Sequence, residues 1–217
     1  DFYKAFASSK VIVVNSTEFL RKPIPKKAGQ IMIQTWHGSL GIKRFGKDVI
    51  AGTPLERACS LSAAMTDILI SNSRFEDEVY RTTYWSENDI RTWGHARNDI
   101  FFDPERMENV SLKIRAAFGI HPGIRLILYA PTFRNDHLFD NYILDPEDVI
   151  RAFEERFGGC WGLMVRFHPS VRKEAGRLTF FSGENVFDVT SHPDIQEVIA
   201  LADAAVTDYS SWIFDYL

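Results

Sequence analysis

The chain has 217 residues, 45% of them hydrophobic and 25% charged, the profile of a globular protein long enough to bury a sizeable core. Its formal net charge of −4 excludes nucleic acid as the main partner, because such binders present a dominant basic face. No apolar run approaches the roughly 20 residues of a membrane span, and Cys59 and Cys160, far apart in apolar contexts, point to a reducing compartment rather than a disulfide.

The chain opens in a helical pattern at Asp1–Phe6 with no secretory signal and closes in another at Phe214–Leu217, so it reads as a fragment of a longer protein. Between these ends, short apolar runs alternate with amphipathic stretches. Strands are predicted at Val11–Val14, Ile31–Thr35, Asp67–Ser71 and Ile90–Trp93, with helices at Glu56–Met65 and Arg74–Thr82. Asp103-Pro104-Glu105 breaks the pattern and reads as a linker. Beyond it, helices are predicted at Met107–Phe118, Pro146–Phe157 (capped by Asp145), Asp194–Ala202 and from Ser210 onward. Strands are predicted at Arg125–Ala130, Gly162–Phe167, Val186–Val189 and Ala204–Thr207. This βαβα order implies an α/β fold of parallel sheets covered by helices. The expected organisation is two Rossmann-like domains, residues 1–102 and 103–217, with the first incomplete at its start and the second truncated.

Ligands in such folds bind beyond the carboxyl ends of strands, so the residues just after each strand carry the functional argument. The first such place is Gln34-Thr35-Trp36-His37-Gly38, followed by Gly41, Lys43 and Arg44. Glycines let backbone N–H groups approach an anion, and His37 stands where an imidazole can take a proton near neutral pH. At the second, Trp93-Gly94-His95-Ala96-Arg97, the arginine can pair with a phosphate or tie the domains together through Asp99. At the third, Pro131 ends a strand and Thr132 and Arg134 offer a hydroxyl and a guanidinium, Arg134 as an anion clamp or in a surface ion pair. At the fourth, alternation puts Arg166 and His168 on one side of a strand. At the fifth, Thr207-Asp208-Tyr209-Ser210-Ser211 brings hydroxyls to a helix start, suited to capping and to phosphate.

His121, His137 and His192 read as loop residues, and no spacing resembles a zinc site or a Walker A loop. Basic islands at Arg21, Lys22, Lys26 and Lys27 and at Lys43, Arg44 and Lys47 suit a phosphorylated ligand or an anionic surface, or are ordinary solvated loops.

Taken in order, the segments QTWHGSLGIKRFG (34–46), GHARNDIFF (94–102), LYAPTFRND (128–136), RFHP (166–169) and DVTSHPDIQEVIALADAAVTDYSSWIFDYL (188–217) resemble the CDP-glycerol glycerophosphotransferases, the family of teichoic acid primases and polymerases. The sequence departs from the family at His95-Ala96, where Tyr-Pro is usual. The resemblance implies a GT-B architecture that moves glycerol phosphate from CDP-glycerol to a terminal hydroxyl of a teichoic acid or capsule-type polymer, releasing CMP. It implies His37 as general base on the acceptor side, His168 assisting at the phosphate from the nucleotide side, and the two converging across a cleft. Gly38, Lys43, Arg97, Thr132, Arg134, Arg166, Thr207, Asp208, Ser210 and Ser211 make up the implied donor- and phosphate-binding set. The implied acceptor is a polyol-phosphate polymer or lipid-linked chain at a membrane surface, with the protein cytoplasmic and peripheral on the inner face of a bacterial membrane. No cofactor is required, although a divalent cation could help neutralise the pyrophosphate. A CDP-ribitol ribitolphosphotransferase or a sugar-nucleotide glycosyltransferase of the same fold are the alternatives.

Overall fold

The computed structural model describes residues 2–16, 24–38, 44, 46–132, 144–167 and 183–217. They form an α/β fold with two parallel sheets, and the chain divides into two compact units, Asp1–Ala96 and Arg97–Leu217.

The first unit contains α1 (Phe2–Ser8), β1 (Val11–Val14), β2 (Ile31–Gln34), α2 (Lys47–Ile50), α3 (Pro54–Met65), β3 (Ile68–Ser71), α4 (Arg74–Arg81) and β4 (Asp89–Thr92). Its strands lie in chain order, β1-β2-β3-β4, each pair parallel. Successive side chains alternate between faces, so Ile12, Met32 and Leu69 share one. There Ile12 and Met32 pack with Phe6 of α1 and Met65 of α3, while Leu69 packs with Tyr80 and Trp85. Pro54 opens α3 where its missing N–H costs nothing, and Ser73 caps α4 by accepting from Glu76 N at 3.3 Å.

A 3-10 helix (Ala96–Phe102) leads into the second unit, which continues with α5 (Pro104–Phe118), β5 (Arg125–Tyr129), α6 (Pro146–Phe157), β6 (Trp161–Val165), β7 (Val186–Asp188), α7 (Ile195–Ile199), β8 (Ala204–Val206) and α8 (Ile213–Tyr216). The strand order is β7-β6-β5-β8, all pairs parallel. The central strand β5 is buried on both faces: Leu126 and Leu128 join Ile114 of α5 and Val198 of α7, whereas Ile127 and Tyr129 join a second core against α6. Two-sided burial is why β5 and β6 read as continuous apolar runs. After β5 the chain adds β6 and β7 on one side, then crosses to place β8 on the other. The order therefore reverses between β5 and β8, the position at which open α/β sheets bind ligands.

Three sequence expectations change. Asp103-Pro104-Glu105 is the start of α5 and not a linker, because Asp103 caps the helix by accepting from Arg106 N at 3.0 Å. The units part at Ala96 and Arg97, ahead of the boundary read at residues 102 and 103, because Ile100 is buried in the second core. The last helix begins at Ile213, so Ser210 and Ser211 precede it in a turn and do not cap it.

Candidate active site

Each unit presents its own cluster at the carboxyl end of its sheet. In the first, β2 runs into Thr35, Trp36 and His37. Trp36 holds a left-handed backbone (φ 54°), costly for a bulky side chain, and neighbouring groups brace it. Gln34, fully buried, accepts from Trp36 N at 2.9 Å through Oε1, while its Nε2 donates to Ser62 Oγ at 3.4 Å. The indole of Trp36 stacks on the His37 ring, centroids 4.3 Å apart, and also meets Trp85 edge-on. His37 Nδ1 lies 2.6 Å from Asn15 O. A carbonyl can only accept, so Nδ1 carries a proton, and in the neutral tautomer the lone pair is on Nε2. That imidazole is exposed, a geometry suited to taking a proton from a substrate hydroxyl. Gly38 follows, half-buried.

A polar cluster missed by sequence reasoning lies beyond β3 and β4. Asp77 accepts from Ser71 Oγ and, at 2.8 Å, from Thr92 Oγ1, while Glu76 accepts from Asn72 N at 2.9 Å. Glu76 also meets His95 Nε2 at 3.3 Å, with both side chains 2% exposed. His95 thus fills an acidic niche inside this unit. The sequence signal was its departure from the Tyr-Pro pattern.

In the second unit the reversal between β5 and β8 brings two loops together. Asp208 accepts from Thr132 N at 3.1 Å and Thr132 Oγ1 at 2.7 Å, and from Tyr209 N at 2.6 Å. Thr132 and Asp208, both read as donor- or phosphate-binding residues, are thus bonded to each other beyond the ends of β5 and β8. Trp212 adds a buried tie, Nε1 to Ala130 O at 2.8 Å. The hydroxyl of Thr207 is buried at the tip of β8 with no hydrogen-bond partner among the described residues. Ser210 and Ser211 follow, half-buried, their carbonyls accepting from Ile213 N and Phe214 N at 3.4 and 3.2 Å.

Two arginines have structural partners. Arg97 donates to Asp215 through Nε at 3.1 Å and Nη2 at 3.0 Å. Burial raises the Asp215 carboxyl, but Arg97, Asn98 and Gln196 more than reverse this and hold it below the ordinary carboxylate value. Arg166 Nη1 donates to His192 O at 2.6 Å and Val189 O at 3.3 Å, bracing the loop after β7. Its burial lowers the guanidinium's pKa, and nearby Asp194 opposes the shift. His192 in turn meets Glu197 Oε2 at 2.8 Å.

Lys43, Arg134 and His168 lie outside the described residues, as do Arg21 and Lys22 of the first basic island. Of that island, Lys26 pairs with Asp67 at 2.5 Å and Lys27 Nζ donates to Ala7 O at 2.8 Å, so both are used within the unit. Among the described residues, no three His, Cys, Asp or Glu side chains are grouped to hold a metal, and no helix is long and apolar enough to cross a membrane.

The family model for CDP-Glycerol:Poly(glycerophosphate) glycerophosphotransferase matches residues 1–217. A teichoic acid poly(glycerol phosphate) polymerase of Bacillus spizizenii is 31% identical over 97% of this chain and 54% of its own. The wall teichoic acid polymerase TagF is similar in structure, with a TM-score of 0.78 at 28% identity, covering 99% of this chain and 53% of that one. A TagF variant soaked with CDPG gives 0.73 at 27% identity, over 99% and 52%. The chain spans about half the length, or less, of the first curated relatives it matches.

Proposed function

Because the chain belongs to the CDP-glycerol:poly(glycerophosphate) glycerophosphotransferase family, we propose that it transfers glycerol phosphate from CDP-glycerol to the terminal hydroxyl of a polyol-phosphate acceptor. In this reading the chain is of GT-B type, its first unit serving the acceptor and its second the donor. The acceptor oxygen attacks the glycerol-bearing phosphorus, the phosphorus–oxygen bond to CMP breaks, and CMP leaves with the electron pair. The hydroxyl proton passes to His37 Nε2, the ring nitrogen not used in the bond from Nδ1 to Asn15 O. General-base assistance of this kind contributes about 10²–10⁴ in rate.

The donor's pyrophosphate is assigned to the β5/β8 crevice, with Thr207, Ser210 and Ser211 as hydrogen-bond donors and Thr132 and Asp208 shaping the opening. Lys43, Arg134 and His168 belong to the proposed charge-stabilising set, with Gly38 beside the base. The acceptor is a teichoic acid or capsule-type chain, polymeric or lipid-linked, met by a cytoplasmic protein at the inner membrane surface. The observation that carries the reading is the strand-order reversal beside which lie Ser210, Ser211 and Thr207, whose buried hydroxyl has no hydrogen-bond partner among the described residues.

The test offers the full-length protein CDP-glycerol, CDP-ribitol and UDP-sugars with a polyol-phosphate acceptor. CMP release, with chain extension, should be fastest from CDP-glycerol. UDP release from a sugar donor without CMP release would overturn the assignment.

A further inference from the structure

We propose that Arg97 and Asp215 are positioning residues for the donor: the part-buried network they form with Asn98 and Gln196 fixes the Thr207–Ser211 segment in its binding geometry. The inference rests on the donor reading above. The segment joins β8 and α8, elements of only three and four residues. Its leading side is fixed by the pairing of Tyr129 with Val206 and by the bonds from Thr132 to Asp208. Its trailing side depends on how the short turn of α8 is held, by the packing of Ile213 and Tyr216, by the bond from Trp212 to Ala130 O, and by the polar partners of Asp215.

Asp215 lies on that turn, its side chain 8% exposed. Besides the two bonds from Arg97, its carboxylate accepts from Asn98 Nδ2 at 3.1 Å and Gln196 Nε2 at 3.2 Å, and Gln196 Nε2 also donates to Asn98 Oδ1 at 2.9 Å. The network therefore joins the 3-10 helix, α7 and α8. A buried carboxylate with this many converging donors admits few alternative geometries, since any shift leaves a buried charge or amide unsatisfied. Preorganising a ligand loop in this way lowers the ordering cost of binding. It also gives a role to the ion pair between Arg97 and Asp215.

The experiment measures CDP-glycerol affinity by calorimetry, KM for both substrates, kcat and thermal stability on the full-length protein. The variants are Asp215→Asn, which keeps the shape and removes the charge, and Asn98→Ala, a milder change that decides the matter should the first fail to fold. We expect the Kd and KM for CDP-glycerol to rise about tenfold in Asp215→Asn and by a smaller factor in Asn98→Ala, with the acceptor KM within about twofold of wild type. Adding Arg97→Ala to Asp215→Asn should weaken donor binding little further, because both act through one network. Folded variants of lowered stability but wild-type donor Kd and KM would reduce the network to a structural role and overturn the proposal, as would equal rises in both KM values. A wild-type protein that neither binds nor turns over CDP-glycerol would instead refute the donor reading, and this inference with it.

Discussion

Replacing Gln34 by Leu removes the brace beneath the His37 turn while keeping the buried volume similar. Gln34 is fully buried, and its amide is the acceptor for Trp36 N and the donor to Ser62 Oγ. Leucine leaves both groups without that partner. A buried unsatisfied polar group costs about 1–3 kcal/mol, and since Trp36 is only partly buried the sum falls near about 2–3 kcal/mol. For a unit of this size, that corresponds to a melting shift on the order of 10 °C. The left-handed Trp36 stores about 1–3 kcal/mol of its own, so the unbraced turn relaxes and carries His37 away from Asn15 O. Displacing a catalytic group by about 1 Å can cost roughly 10²-fold in rate, so turnover should fall at least about tenfold. The assay follows CMP release by the full-length protein alongside thermal denaturation and CDP-glycerol binding, which should be unchanged. A Gln34→Leu protein with wild-type turnover, or with an unshifted melting temperature, would refute the claim that this side chain holds the turn.

Trp212→Phe keeps most of the packing but removes the indole donor to Ala130 O, and should destabilise the second unit by about 1–2 kcal/mol in denaturant titrations. Glu76→Ala leaves His95 buried without its carboxylate and Asn72 N without its acceptor, so a loss of about 3 kcal/mol is expected from the urea midpoint at constant m-value. The Asp215 carboxyl is depressed in the folded protein, so its contribution is present above the unfolded value of about 3.9 and is lost as pH falls through the folded value. The stability gap between wild type and Asp215→Asn should accordingly be widest near neutrality and narrow below about pH 4; a gap constant across that range would contradict the assignment.

Elements whose signals are local were legible in the sequence. Asp145-Pro146 reads as a capped helix start, and α6 spans Pro146–Phe157 with Asp145 accepting from Glu147 N at 2.9 Å. The same Asp-Pro signature at Asp103-Pro104 was read as a linker, although the chemistry is identical. The Ser210-Ser211 pair suggested a cap, but the indole of Trp212 is tied to Ala130 across the sheet, and the helix starts only at Ile213. His37 stood out at a strand tip beside glycine, whereas its tautomer depends on Asn15 O, 22 positions away in sequence. The partner of Arg97 is more distant still, 118 positions along the chain, where no periodicity or motif spacing could pair them. Arg166 likewise reads as a candidate anion ligand, because the backbone carbonyls it satisfies leave no trace in side-chain pattern.

The most direct measurement of the account is His37→Ala in the full-length protein, with CMP release from CDP-glycerol and calorimetric donor affinity followed side by side. Turnover should fall by about 10²-fold or more while CDP-glycerol binds as in wild type. Near-normal turnover without the imidazole would show that the acceptor hydroxyl gives up its proton elsewhere.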